Sequence, residues 1–503
     1  MVEHFDLIVI GGGPGGSTLA TFVAMQGHRV LLLERELLPV YKIGESLLPA
    51  TVNGICAMLG VTDELKSAGF VVKQGGTFRW GRNKEPWTFA FSLSSKLRGP
   101  TSFAYQVERM KFDTILLNNA RRKGVDVRER HAAIDVLLDD NQRVTGVAFR
   151  DAAGRHIEGR SRFVVDASGW STTLARHVGT RIYSQHFRNV AVFGYFSGAK
   201  RLPPPNSGNI FCAAFDRGWF WYIPLSDTLT SVGAVIGQES SRLIGDGREV
   251  ALSRFIQECE PIRELLAGAT RVTSGPYGEV RVRTDYSYCH DKFWKPGLAL
   301  VGDSACFIDP VFSSGVHLAT YSALLAARSI NSCLGASMTE ERAFGEFERR
   351  YMREFRYFYD FLLAFYDLDQ DLDSYYWSAR KVLNSAELGN EAFIQLVAGV
   401  GGSGEQLFES HEEFVRQRAG LGSQLFGEIP GQAEDAVSGM VKSGSGRFMT
   451  DLFREVSQVQ SQATFTTDRV PEMPLFNDGL VPSTDGFHWV EPAVRRSHVV
   501  PAV

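Results

Sequence analysis

The 503-residue chain carries little that would tie it to a metal, a disulfide framework, a membrane or nucleic acid. Its six cysteines, at 56, 212, 259, 289, 306 and 333, are widely spaced and form no C-x-x-C pair. That spacing argues against a zinc knuckle or a disulfide scaffold and fits reduced thiols, and no metal site is expected. No apolar run approaches the roughly 20 residues that span a bilayer. The opening residues carry Glu3 and Asp6 and pass directly into an apolar strand, unlike a signal segment. A cytoplasmic location without a membrane span is therefore expected. Charge nearly balances, at −4, with Lys and Arg scattered, so there is no nucleic-acid footprint. No repeat of solenoid period occurs. The chain is rich in aromatic residues, 12% with 35 Phe, which fits a large apolar cavity or, equally, a large core. Its length exceeds what one core sustains, so two or three domains are expected.

The stretch that organises the sequence is Phe5-Asp-Leu-Ile-Val-Ile10 followed by Gly11-Gly-Gly-Pro-Gly-Gly16. It reads as a buried strand, a tight turn and a helix running from Pro14 to about residue 26. Gly11, Gly13 and Gly16 occupy the G-x-G-x-x-G positions of a dinucleotide-binding turn. The first glycine permits the turn, the second lets a pyrophosphate approach backbone N–H groups, and the third lets helix and strand pack closely. The helix N-terminus would then face the phosphates. A second strand over residues 29–33 ends on Glu34, where a carboxylate would accept a ribose hydroxyl.

Behind this unit comes the loop Ile43-Gly-Glu45-Ser46-Leu-Leu-Pro49, placed to lie over a bound cofactor, and then an apolar helical stretch over 52–59. Residues 71–80 read as a strand or hairpin with Lys73 among apolar neighbours. Spacing alone makes such a lysine exposed or snorkelling. Arg109 precedes a helix over 112–123, a hairpin spans 132–149, and short strands at 155–158 and 162–165 lead into Asp166-Ala-Ser-Gly169. From 189 to 288 the pattern becomes antiparallel β, with a polar helical segment at 249–265. It includes Gly218-Trp-Phe-Trp-Tyr-Ile-Pro224, whose alternation puts Trp219 and Trp221 on one face and Phe220 and Tyr222 on the other. A further buried strand at 297–301 ends on Gly302-Asp303, followed by Asp309-Pro-Val-Phe-Ser-Ser-Gly315 and a long helix over 316–331. Phe344, Phe347, Tyr351, Phe355, Phe358, Leu362 and Phe365 then fall at helical spacing, as a core-packing stripe. Beyond residue 383 the pattern loosens, with short helical stretches at 390–396 and 411–418, Gly-rich turns, and a Pro-containing tail over 470–503 expected to wrap the surface or to be partly disordered.

Gly11-x-Gly13-x-x-Gly16, Glu34, Arg109, Asp166-x-x-Gly169 and Gly302-Asp303 together resemble the FAD fold of the aromatic hydroxylases, over about residues 5–330. Two further features resemble one branch of that superfamily, the flavin-dependent halogenases: the G-W-x-W-x-I-P run with Trp219, Trp221 and Pro224, and Lys73 in its K-x-G-G context. The resemblance implies an α/β fold, an FAD-binding dinucleotide domain with an inserted antiparallel substrate sheet and a helical C-terminal region. The corresponding divisions are 1–188 with 289–335, 189–288, and 336–503. It implies FAD, used as FADH2, against Gly11, Gly13, Pro14, Gly16, Ser17, Glu34, Arg35, Glu45, Ser46, Arg109, Asp166, Gly169, Gly302, Asp303, Pro310, Gly315 and Val316. It further implies halide (chloride or bromide) near Ser314 and Gly315, and Lys73 as the catalytic residue.

Reduced flavin, O2 and halide give a hypohalous acid, which must be held beside an electron-rich ring. A lysine can hydrogen-bond and polarise that acid, or carry the halogen as a haloamine. The two tryptophans resemble a barrier that keeps substrate off the flavin. Members acting on tryptophan carry a Glu two residues before the Ser314 position, and here that residue is Phe312. The 309–315 run, the aromatic helix and the tail resemble instead the branch that acts on phenolic units held by acyl or peptidyl carrier proteins, supplied with reduced flavin by a separate reductase. An FAD/NAD(P)H aromatic hydroxylase and a non-catalytic flavoprotein of an assembly line stand as alternatives.

Overall fold

The computed structural model describes residues 2–80, 85–91, 101–172, 174–367, 474–476 and 478–492. The expected helical stretches at 390–396 and 411–418 lie outside them. Two sheets organise the rest. The first runs, in order, Trp294–Lys295, Leu298–Leu300, His156–Asp166, Val2–Ile10, Val30–Glu34 and Asp126–Glu129, with a hairpin of Ala132–Leu138 and Val144–Arg150 joined to it. Its central strands are parallel and their apolar residues are buried on both faces, as a sheet covered on two sides requires. Register matters most here. Ile10 stands beside Leu33 and Asp166, and Asp166 beside Leu300. Four strands therefore end level, and Gly11, Glu34, Asp166 and Gly302 meet at their carboxyl ends, where open α/β sheets bind ligands. The strands expected at 155–158 and 162–165 are one continuous strand, His156–Asp166, because Val2–Ile10 pairs with it from Glu158 to Asp166 while its other edge passes from Val144–Arg150 to Leu298–Leu300.

The second sheet has the order Cys306–Phe307, Arg281–His290, Arg181–Ser197, Leu229–Gly237, Gly218–Pro224, Ile210–Phe215, Gly75–Arg79 and Trp87–Ala90. It thus extends beyond residues 189–288 and takes in strands from the first hundred residues and from just after Gly302. The expected strand or hairpin at 71–80 is neither. Val71–Lys73 pairs with Ala104–Gln106 in a separate two-stranded sheet, and Gly75–Arg79 joins the large one. The change of sheet falls at Gln74, where Asn209 Oδ1 accepts the N–H groups of Gln74 and Gly75 at 3.1 and 2.9 Å. The expected helical run at 249–265 is broken at Cys259, with Pro261 in the first turn of the second piece.

Alternation along Gly218–Pro224 holds: Trp219, Trp221 and Ile223 face the main core, while Phe220 and Tyr222 face a second core beneath the Arg248–Glu258 helix. The Gly315–Leu334 helix is buried on nearly every side between the Pro14–Ala24 helix and the Glu340–Asp367 helix. All seven stripe residues of the latter are buried in the main core. The described part of the tail docks on these helices, where buried Trp489 gives its indole N–H to Ser329 Oγ (2.9 Å) and its backbone N–H to Ser332 Oγ (2.8 Å). No helix among the described residues is long and apolar enough to cross a membrane.

Candidate active site

The glycine turn divides into closed and open positions. A Cβ at Gly16 would lie 1.9 Å from Gly11 O, and one at Gly11, whose φ is +104°, 2.4 Å from Ala167 O. These two glycines are required by the protein's own packing. A Cβ at Gly13 would meet nothing within 4 Å, and no side chain caps the Pro14–Ala24 helix that begins there. An uncapped helix N-terminus beside open space is a cradle that fits a pyrophosphate. Ser17 Oγ is spent on Gly12 O. Glu34 is pinned at the strand end by the N–H groups of Gly12 (2.7 Å) and Glu36 (2.9 Å), which orients its carboxylate toward the turn. Arg35 is exposed and paired with Glu36.

Further along the same edge, Asp166 is fully buried. Its Oδ1 accepts from Ser168 N (2.9 Å), Ser168 Oγ (2.6 Å) and Ser304 Oγ (3.0 Å), and its Oδ2 accepts from Thr172. It fastens the 166–172 loop, with Gly169, to the Gly302-Asp303 turn. Arg109 is bidentate to Asp113 and donates to Ile43 O at 2.5 Å, clamping the Ile43–Pro49 loop. Burial pushes the Asp303 carboxyl up to about 6 against the pull of Arg109 and Arg181. Pro310 opens a short 3₁₀ turn that Asp309 caps, and Val316 packs at the start of the long helix.

Lys73 is 2% exposed, which corrects the expectation from spacing. Its Nζ donates to Ser46 Oγ (2.8 Å), Leu47 O (2.9 Å) and more weakly to Ser313 Oγ (3.4 Å), and lies over the Phe91 ring. Among the described residues it has no carboxylate partner. Burial therefore depresses its pKa to about 7, so that the free amine and the ammonium are both accessible near neutrality. Ser313 has φ +60° and turns the chain into Ser314 and Gly315, the start of the long helix. The Ser314 side chain makes no cap, and a Cβ at Gly315 would meet nothing within 4 Å. A buried lysine thus reaches toward the uncapped, open N-terminus of a 20-residue helix, which favours an anion beside it.

The wall beyond is aromatic. Trp219 gives its indole N–H to Tyr366 OH (2.6 Å), which in turn donates to buried Asp309 Oδ2 (2.9 Å). Trp80 packs tilted against Phe365 and Trp219, and Phe312, Phe78 and Phe365 pack on one another. Trp221 packs on Phe193 and Gly233, where a Cβ would come within 2.3 Å of the indole.

The tryptophan halogenase family model matches residues 6–99 and 93–424. The chain belongs to the flavin-dependent halogenases. The structure of the myxobacterial chondrochloren halogenase CndH, described as a variant of FAD-dependent halogenases, is 56% identical. It superposes with a TM-score of 0.77 over 97% of this chain and 100% of that one. The flavin-dependent halogenase CmlS is 28% identical, with a TM-score of 0.74 over 97% of this chain and 84% of that one. Tryptophan 2-halogenase of Chondromyces crocatus is 34% identical over 413 residues, 78% of this chain and 75% of the relative. The enzyme is accordingly an FAD-dependent oxidoreductase that uses halide to halogenate an aromatic substrate.

Sequence reasoning missed several residues that hold this halogenase site together. Ser313 was visible only as one of two serines, and its left-handed backbone could not be read from them. Tyr366 adjoins the aromatic stripe, and the one signal was a hydroxyl where phenylalanine would pack as well. Asn209, Asp309 and Tyr195 act through partners 57 to 150 residues away and left no local pattern.

Proposed function

We propose that this halogenase acts on an electron-rich phenolic ring carried as an acyl group on an acyl or peptidyl carrier protein, with FADH2 supplied by a separate flavin reductase. The observation that supports the halogenation chemistry in this reading is the placement of Lys73: buried, without a carboxylate partner among the described residues, and reaching to Ser313 at the open N-terminus of the Gly315–Leu334 helix. FAD is assigned to the level strand ends, its pyrophosphate against Gly11, Gly13, Pro14, Gly16 and Ser17 and its adenosine end toward Glu34 and Arg35. Its remaining contacts are assigned to Glu45, Ser46, Arg109, Asp166, Gly169, Gly302, Asp303, Pro310, Gly315 and Val316. Residues 1–188 with 289–335 would hold the cofactor and 189–288 much of the substrate wall, which Phe78, Trp80, Phe312, Phe365 and Tyr366 complete.

When bound and reduced, the flavin supplies hypohalous acid from O2 and halide. Backbone N–H groups at Ser314 and Gly315 hold the halide. Lys73 holds the acid by donating from its ammonium, or accepts the halogen on its free amine with release of water. Either form orients the halogen toward the ring, which exchanges a proton for it. Trp219 and Trp221 keep the ring from the flavin, which disfavours hydroxylation.

Phe312 supports a phenol over an indole, since this buried ring packed on Phe78 and Phe365 offers no carboxylate to an indole N–H. A phenol has its own hydroxyl to feed the ring. The test is turnover with FADH2, O2 and chloride or bromide on tryptophan and on free and carrier-tethered phenols, read by mass spectrometry. A halogen mass shift on tethered phenols alone is expected. A shift on the free acid removes the tether, one on tryptophan removes the phenol, and a gain of oxygen without halogen returns the hydroxylase.

A further inference from the structure

Glu45 is 2% exposed and sits in the same loop as Ser46 and Leu47, the two residues that hold Lys73 most closely. The loop is fixed edge-on to the Ala104–Gln106 strand, with Val107 N donating to Glu45 O (2.7 Å) and Leu47 N to Tyr105 O (3.0 Å). Its carboxyl points the other way, to the large sheet. Oε1 accepts from Tyr195 OH at 2.7 Å, and Tyr195 OH lies 2.5 Å from Tyr41 OH. Tyr195 stands directly across from Ser231 on the neighbouring strand, so both side chains rise from the same face. The Ser231 hydroxyl, on that same face, favours the ionised form of the Glu45 carboxyl. Ser231 Oγ in turn accepts the indole N–H of Trp221 at 3.2 Å.

We infer that Glu45 is a positioning residue that latches the loop holding Lys73 to the strand bearing Trp221, through Tyr195 and Ser231. One carboxyl group spans the joint between the two-stranded sheet that carries Lys73 and the large sheet that carries both tryptophans. No backbone pairing between Val71–Lys73 and the Gly218–Pro224 strand does this. The latch sets the separation of the lysine from the indole wall, and therefore whether a hypohalous acid meets the ring or escapes. Among the described residues Glu45 Oε2 has no hydrogen-bond partner, so the Tyr195 hydrogen bond on Oε1 carries the joint. Burial raises the Glu45 pKa to about 7, with Tyr195, Ser231 and Arg109 opposing and Glu108 reinforcing that rise, and Tyr41 and Tyr277 also feel its charge.

The inference rests on the halogenase reading for its consequence but not for its test. Glu45→Ala, Trp221→Phe and the double variant are compared in full-length protein without added flavin, by thermal unfolding and near-ultraviolet circular dichroism. The latch predicts that the two Tm shifts are not additive, and that the aromatic band altered by Glu45→Ala is unaltered by it once Trp221 is Phe. Glu45→Gln, which keeps one acceptor for Tyr195 and gains a donor for Ser231, should restore the wild-type band. Additive Tm shifts, or an identical spectral change with and without Trp221, would overturn the latch. If Glu45→Ala does not fold, Ser231→Ala takes its place in the cycle with the same two outcomes. In turnover, Ser231→Ala should lower halogenated product per O2 consumed with flavin oxidation unchanged. Wild type that oxidises flavin but forms no halogenated product would instead contradict the halogenase reading and leave the cycle intact.

Discussion

The two ends of the site are built by different means. The nucleotide end is backbone: four strand ends brought level by register, two glycines that no larger residue can replace, and a helix N-terminus. The lysine end is side chains: Ser46, Ser313, Trp219, Tyr366, Asp309 and Glu45 converge from four separate segments, each held by a partner far away in the chain. Backbone requirements write themselves into short local patterns. Side-chain networks do not, because almost any residue with the right donor in the right place will serve. In the proposed function the first end holds the dinucleotide and the second carries the halogenation chemistry.

The largest effect that separates the two ends concerns Lys73. Its pKa falls from an ordinary 10.5 to about 7 because the ammonium is desolvated. The unfolded chain therefore binds one more proton between those values, so stability rises with pH through that window and is lost as pH falls through it. The wild-type slope integrates to about 4 kcal/mol. Lys73→Met should remove that slope, making the variant more stable than wild type at pH 7, as denaturant unfolding at pH 7 and 10 would show. At the nucleotide end no such gain exists. Gly16→Ala should destabilise by about 3 kcal/mol or more, since its Cβ would press on Gly11 O. Gly13→Ala should stay within about 1 kcal/mol of wild type in unfolding while weakening FAD binding in a fluorescence titration. Equal stability losses at Gly13 and Gly16 would show that the open cradle is not one.

Glu45 has the opposite sign to Lys73. Its pKa is raised from 4.5 to about 7, so the native state binds the extra proton and stability falls as pH rises through that interval, by about 3 kcal/mol. Glu45→Gln should lack this slope, leaving a flatter Tm profile between pH 5 and 8. The smallest effect belongs to Tyr366→Phe, which removes one hydroxyl that accepts from Trp219 and donates to Asp309. A loss of about 1–2 kcal/mol in unfolding is expected, with FAD affinity unchanged. A drop in FAD affinity would mean that the two ends are not independent.

The same contrast explains what was legible in the sequence. The glycine turn, Glu34, the Gly302-Asp303 end and the facing of Trp219 and Trp221 follow from periods of a few residues, and the structure shows those elements where the pattern puts them. Lys73 was the instructive failure of spacing alone. A lysine between Val72 and Gln74 has no local reason to be buried; the chain leaves one sheet for another where Asn209 grips Gln74 and Gly75, and Lys73 lies inside. The continuous His156–Asp166 strand was split in the sequence because its polar middle residues interrupt the apolar pattern, although Val2–Ile10 pairs straight through them.

The central claim is that Lys73 performs halogenation while the nucleotide end only serves it. Its most direct test places wild type and Lys73→Met side by side with FADH2, O2, bromide and a phenolic substrate, following flavin oxidation and brominated product in the same reaction. Flavin oxidation at equal rates with product lost by about 1,000-fold or more in the variant is the predicted result. Brominated product formed by Lys73→Met at the wild-type rate would contradict it.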